Sequence, residues 1–267
     1  FTWNEVADRV ARLARVLADH GLTPGGRAVL LATNSHWSIE LFYATFHAGG
    51  VMVPLNFRLS AQDLAVQVAD CTPQVLLLGP DYAHFAADLV AASGGNARVL
   101  MIDAALQGLL DAAAPLPDAM RGGDDLACIY YTSGTTSAAK GVMLSHSNLV
   151  SDCYLAQANL HIYHTDVFYA LLPIHHSYTM LAVFIEAISV GAEVVFGKSM
   201  AVSRMLKELR EGKITMLLGV PLLFNKLLAG IMKGIKDKGP VVYGLMKFLM
   251  GVSYLVKKIT GKNPGKK

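Results

Sequence analysis

The sequence predicts an α/β fold with two mostly parallel sheets flanked by helices. Three observations carry that expectation. Short apolar runs recur along the chain, amphipathic helical patterns separate most of them, and the 267 residues are 53% hydrophobic but only 16% charged. Buried parallel strands read as short continuous apolar runs, and alternation with helices is how such strands are connected. There are more strand candidates than one small sheet needs, so two sheets or subdomains are expected, with no internal repeat.

The elements follow in order. Thr2-Trp3-Asn4-Glu5 is a capping box, and Val6, Val10, Leu13 and Leu17 continue it at helical spacing as far as Gly21. Pro24-Gly25-Gly26 turns the chain into the apolar run Ala28–Ala32. A helix is predicted from Trp37 to His47, then Gly49-Gly50 and a strand at Val51–Leu55. Ser60 can cap a helix to about Ala69, and Pro73 precedes the strand Val75–Leu78. Further strands are expected at Val99–Ile102, Leu126–Tyr131, Val167–Leu172, Ala192–Phe196 and Thr215–Leu218. Ala113–Gly123, rich in Ala, Pro and Gly, reads as a surface connection, so subdomains 1–123 and 124–267 are predicted.

Composition excludes several classes. A disordered chain needs low hydrophobicity and high net charge, and this one is core-rich with a net charge of +3. That charge is too small to point to nucleic acid. It is also unevenly placed: Ala229–Lys267 holds nine Lys and one Asp, so the rest is net acidic. Such a tail suits an amphipathic helix packed on its own domain with lysines in water, or a peripheral contact with an anionic membrane. The apolar stretches Met180–Phe196 and Val241–Val256 are interrupted by charge, which argues against a membrane span. Cys71, Cys128 and Cys153 are odd in number and far apart, as expected of reduced thiols in a cytoplasmic protein. The first residues lack a signal-peptide pattern. Both ends read as cut from a longer chain.

The segment richest in chemistry is the run Thr132-Ser133-Gly134-Thr135-Thr136-Ser137-Ala138-Ala139-Lys140-Gly141, directly after the strand Leu126–Tyr131. A glycine lets backbone N–H groups approach oxyanions, hydroxyls add donors, and a lysine adds a mobile positive charge. A polyphosphate fits this combination, and so does an ordinary Ser/Thr-rich surface loop. Two other motifs fail. A Walker A loop anchored on Gly134 needs Gly at 139 and Ser or Thr at 141, where Ala139 and Gly141 stand. A nucleophile elbow on Ser133 needs Gly at 131 and 135, where Tyr131 and Thr135 stand.

Tyr131-Thr132-Ser133-Gly134-Thr135-Thr136, with Lys140-Gly141-Val142 after it, resembles the phosphate-loop signature of the adenylate-forming superfamily. That superfamily includes acyl-CoA synthetases, luciferases and peptide-synthetase adenylation domains. The similarity runs over nearly the whole chain. It includes Asn34-Ser35, Ala48-Gly49-Gly50-Val51 with Pro54-Leu55-Asn56, Leu172-Pro173-Ile174-His175-His176-Ser177-Tyr178, Gly191-Ala192 and Val220-Pro221. The His-His-Ser-Tyr stretch and the Lys-rich insertion after Pro221 look most like bacterial long-chain fatty-acid–CoA ligases. Ser137 and Ala139 stand where the family has Gly and Pro, which changes the backbone freedom of the loop.

The resemblance implies a two-step reaction with ATP, Mg2+, coenzyme A and a fatty acid: acyl-adenylate forms first, acyl-CoA second. It assigns Thr132, Ser133, Gly134, Thr135 and Thr136 to the β- and γ-phosphates and Lys140 to a mobile catalytic cation. His176 is placed beside the carboxylate and adenylate as a catalytic and substrate-binding group, with His175 its lesser neighbour. Tyr178 and Met180–Phe184 are expected to line the acyl pocket, or to be plain helix core. His161, His164 and Asp166 have metal-like spacing but read as surface polar residues, so no metal site is assigned.

The family's Mg-holding Tyr-Gly-x-Thr-Glu is missing, since Tyr243-Gly244 runs into Leu245-Met246-Lys247. The adenine-covering stretch, ribose-binding Asp, hinge and C-terminal lid domain also lack counterparts. The chain is therefore expected to be the front part of the large N-terminal domain, inactive alone. Two other readings remain open: an acyl-AMP or aryl-acid ligase of the same superfamily, and a truncated non-catalytic nucleotide- or acyl-binding module. The expected location is the cytoplasm, with the basic tail 229–267 touching the inner membrane face in the peripheral reading.

Overall fold

The computed structural model of the protein describes residues 1–132 and 139–261. The chain forms two compact units, Phe1–Lys198 with Leu209–Leu218, and Ser199–Glu208 with Gly219–Lys267.

The first unit is built on a six-stranded sheet of order β4-β3-β1-β2-β5-β6. Its strands are β1 (Arg27–Leu31), β2 (Val51–Pro54), β3 (Val75–Leu78), β4 (Arg98–Met101), β5 (Leu126–Thr132) and β6 (Lys140–Ser145). The first five run parallel and β6 is antiparallel to β5. Strand period two sorts each strand between two cores. Ala28 and Leu30 face the core shared with helices α1 (Trp3–Asp19), α2 (His36–His47), α5 (Ala104–Ala112) and α6 (His146–Asn159). Val29 and Leu31 face α3 (Ala61–Cys71) and α4 (Ala86–Ala92). Helices thus cover both faces, as burial of a parallel sheet requires.

Local chemistry explains the boundaries. Thr2 and Glu5 exchange capping hydrogen bonds, with the Thr2 amide donating to Glu5 Oε2 at 2.6 Å. Gly49 has a φ of +77°, and a Cβ there would lie 2.9 Å from the Ala119 methyl, so only glycine fits the turn into β2. Arg9 pairs with Glu40 through Nε–Oε1 at 2.8 Å and Nη2–Oε2 at 2.9 Å, locking α1 to α2. Glu40 is 1% exposed.

A smaller parallel sheet joins β7 (Val167–Ala170) to β8 (Glu193–Phe196). Between them lie α7 (Ser177–Thr179), a π-helical turn (Met180–Ile185) and α8 (Glu186–Val190). The second unit holds most of α9 (Val202–Glu211), α10 (Pro221–Lys236) and α11 (Pro240–Thr260). Gly230 lets α10 close on Val202 of α9. Leu223 and Leu227, one helical turn apart, are the buried residues of α10.

Four differences from expectation have physical causes. The predicted boundary at 123/124 does not separate two sheets: β5 pairs with β2 at Met52–Cys128 and completes the first sheet. Thr215–Leu218 forms no strand, only an isolated bridge between Phe168 and Met216. β6 was not expected, because it is an edge strand whose half-exposed residues make no buried apolar run. Of the basic tail, α11 packs on α10 only loosely: Tyr243, Met246 and Val256 are half-buried and no residue of the helix is fully buried.

Candidate active site

Open parallel sheets place ligand sites beyond the carboxyl ends of their strands, where the loops diverge. At that end of β2 and β5 lies a cavity of about 630 Å³, walled by Pro54, Asn56, Gln67, Tyr131, Thr132, His175 and His176 among others.

The histidines arrive on the segment after β7, which is held by two side chains from the large sheet. Asn34, just past β1, donates from Nδ2 to the Leu172 carbonyl at 2.7 Å and accepts at Oδ1 from the Ile174 amide at 3.0 Å. The Tyr130 hydroxyl donates to the Ile174 carbonyl at 3.3 Å. The His176 amide then closes a turn onto Pro173 O at 3.2 Å.

The two imidazoles differ in role. His175 is 7% exposed, edge-on to Phe57 at 5.0 Å and 82°, and its Nδ1 has no partner. Burial, reinforced by His176 and Arg58, pushes its pKa down to about 3. His176 lies 4.4 Å from His175 with the rings tilted at 55°, and is exposed at the cavity wall. Its pKa is also lowered, first by burial and then by Arg58. Both rings are therefore neutral at pH 7, able to donate one hydrogen bond and accept another.

Tyr131, also in the cavity wall, is tied to α3. Its hydroxyl donates to Asp70 Oδ2 at 2.6 Å and lies 3.1 Å from the Gln67 carbonyl. Burial and the Asp70 carboxylate both hold the phenol protonated by raising its pKa. Gln67 itself is buried with Oε1 unpartnered. The next residue, Thr132, is the last of β5 and sits across from Lys140, the first of β6, its hydroxyl donating to the Lys140 carbonyl at 3.5 Å. Lys140 is exposed. Ser133, Gly134, Thr135 and Thr136 lie outside the described residues.

The structure thus brings Thr132, His175 and His176 to one cavity and puts Lys140 opposite Thr132 across the strand pair. Tyr178 is 51% exposed and is not among the residues that line this cavity. Asp166 accepts from the Thr215 hydroxyl at 2.7 Å and from the Tyr163 amide at 2.8 Å, a structural use of its carboxylate. Among the described residues no cluster of three His, Cys, Asp or Glu side chains could hold a metal ion. Asn34, Tyr130 and Gln67 were not singled out as site residues in the sequence. Asn34 left one signal, a polar residue directly after a buried strand. Gln67 left another, a polar residue between Leu64 and Cys71 on the buried side of α3.

A helix-covered, mostly parallel sheet with a polar cavity at its strand ends defines an α/β domain built to take a ligand at that end. Residues 1–255 match the family model described as AMP-binding enzyme, and the chain belongs to that family. A feruloyl-CoA synthase from Amycolatopsis sp is 32% identical over 229 residues, covering 85% of this chain and 45% of that protein. The long-chain-fatty-acid–CoA ligase FadD13 of Mycobacterium tuberculosis is 31% identical over 66% of this chain and 36% of its own length. Among solved structures, ATP-bound MatB from Rhodopseudomonas palustris superposes with a TM-score of 0.78 at 30% identity, covering 85% of this chain and 45% of that one. The N-terminal domain of FACL13 from Mycobacterium tuberculosis superposes with a TM-score of 0.79 at 26% identity, covering 85% and 57%. The chain spans less than half the length of these curated relatives.

Proposed function

We infer that the protein activates a long-chain fatty acid as its CoA thioester, using ATP with Mg2+ on its phosphates. The fatty-acid carboxylate oxygen attacks the α-phosphorus and pyrophosphate leaves. The thiol sulfur of coenzyme A then attacks the acyl carbon, AMP leaves, and the thiol proton passes to solvent. Such chemistry rests on positioning and charge stabilisation, with no protein nucleophile.

One observation carries this reading: Thr132, at the head of the Ser/Thr-rich loop, and His176 wall the same cavity at the strand ends. In this proposal Thr132 with Ser133, Gly134, Thr135 and Thr136 receives the β- and γ-phosphates, and Lys140 supplies the positive charge. A neutral His176 donates a hydrogen bond to the acid's carboxylate. It thereby orients the attacking oxygen without the ion pair that would blunt its nucleophilicity.

The second reading is an aryl acid in place of a fatty acid, favoured by the similarity to a feruloyl-CoA synthase over most of the chain. ATP-dependent pyrophosphate release by the intact protein, with fatty and aryl acids side by side, tests both. Release with long-chain acids supports the first and release with cinnamic-type acids alone replaces it. Silence with every acid, while ATP still binds, leaves a nucleotide-binding module and overturns both.

A further inference from the structure

We propose that α11 is a membrane-surface helix that lies flat on anionic lipid. Val241, Leu245, Phe248, Val252, Leu255 and Ile259 fall three or four residues apart and form one stripe along this 21-residue helix. They are between 44% and 82% exposed. A continuous apolar stripe of this length is not what a water-facing helix carries.

The charges decide what covers it. From Pro240 to Lys267 there are six lysines and no acidic residue. At 100° per residue, Lys247 and Lys258 lie on the same side of the stripe, about 120° and 100° from its centre, close enough for a lysine stem to run along the apolar surface and its ammonium to reach a headgroup. Lys233 and Lys236 end α10 and extend the same positive segment. An apolar stripe with lysines along one side, on a helix without an acidic residue, complements an anionic bilayer: the stripe enters the acyl boundary and the lysines meet phosphates. The helix lies on the surface and does not cross it, since no helix among the described residues is long and apolar enough to span a membrane. This surface is independent of which acid the enzyme takes. It would nonetheless bring an enzyme for membrane-partitioned acids to its substrate.

Cosedimentation of the intact protein with phosphatidylcholine vesicles, with and without phosphatidylglycerol, tests it. Wild-type protein is expected to bind the phosphatidylglycerol vesicles, more weakly at high salt. The Leu245→Glu/Phe248→Glu variant is expected to lose binding by more than about tenfold, and Lys247→Gln and Lys258→Gln by about fivefold each on anionic vesicles alone. An unchanged circular dichroism melt shows that the variants fold. Failure of wild-type protein to bind anionic vesicles overturns the proposal, as does undiminished binding by the double Glu variant. A homodimer that the double Glu variant dissociates, with vesicle binding absent, assigns the stripe to a second copy instead. If vesicles bind while pyrophosphate release is silent with every acid, the ligase reading falls and the lipid surface stands.

Discussion

Asn34 holds Ile174. Its carboxamide bridges Leu172 and Ile174, donating to one carbonyl and accepting from one amide, so the end of β1 sets where the two histidines emerge. The same segment is pinned again by Tyr130, whose hydroxyl reaches Ile174 O. The position of His176 is therefore set through three hydrogen bonds, two from Asn34 about 140 positions away and one from Tyr130, 44 positions from Ile174.

Replacing Asn34 with Ala removes two of those bonds and leaves a carbonyl and an amide short of partners. The expected cost is about 1–3 kcal/mol, read as a lower thermal midpoint. Asn34→Asp keeps the acceptor for the Ile174 amide and loses the donor, so it should fall between. A wild-type melt for Asn34→Ala would mean the clamp does not bear on stability.

Arg9→Ala leaves the nearly sealed Glu40 carboxylate with His36 Nδ1, 3.3 Å away, as its remaining side-chain partner and should destabilise the first unit by up to about 3–5 kcal/mol. Removing both charges with Arg9→Met and Glu40→Gln should recover much of that loss. Urea unfolding of the single and double variants measures the coupling, and strict additivity would contradict the pairing.

His175 gives the fold a pH dependence with a definite sign. Its pKa falls from the ordinary 6.5 to about 3, so the unfolded chain binds the proton more readily than the folded one. The stability contributed by neutral His175 is fully present above pH 6.5 and is lost as pH drops toward 3. The slope inside that window is at most about 1.4 kcal/mol per pH unit. His175→Phe, which can still pack on Phe57, should flatten the profile of thermal midpoint against pH between these limits. An unaltered slope would place the titrating group elsewhere.

Lys140→Ala should slow pyrophosphate release by about a hundredfold, the effect of deleting one preorganised charge-stabilising donor. The melting temperature should barely move, because Lys140 is exposed. Thr132→Val tests the adjacent donor. If both variants keep wild-type rates, the strand-pair end does not serve the phosphates.

Tyr131→Phe removes the hydroxyl that ties the end of β5 to Asp70 and α3. The expected loss is about 1–3 kcal/mol because the acceptor is charged. A raised KM for ATP with little change for the acid would separate a role in setting Thr132 from a purely structural one.

Much of the sheet was legible before the structure. The runs at Val75–Leu78 and Val51–Leu55 became strands because they are buried on both faces and so are apolar throughout. The Thr2–Glu5 box and Ser60 marked their helix starts through side-chain oxygens that accept end amides. β6 was hidden because an edge strand needs no apolar run. Thr215–Leu218 was misread because an apolar run does not say whether a partner strand will take all its hydrogen bonds. The tail carried the right composition for a helix but not its surroundings, and α11 lies exposed where burial was expected.

The sequence by itself determined the α/β class, the helix starts, the family and the Ser/Thr-rich loop with Lys140, because these rest on patterns between residues near one another in the chain. Tertiary structure alone decided that Asn34 and Tyr130 clamp the histidine segment, and that His175 is buried in the cavity wall while His176 is exposed there. Burial and long-range hydrogen bonds depend on which strands come to lie side by side. Here the parallel crossovers bring β1, β5 and the segment after β7 to one end of the molecule.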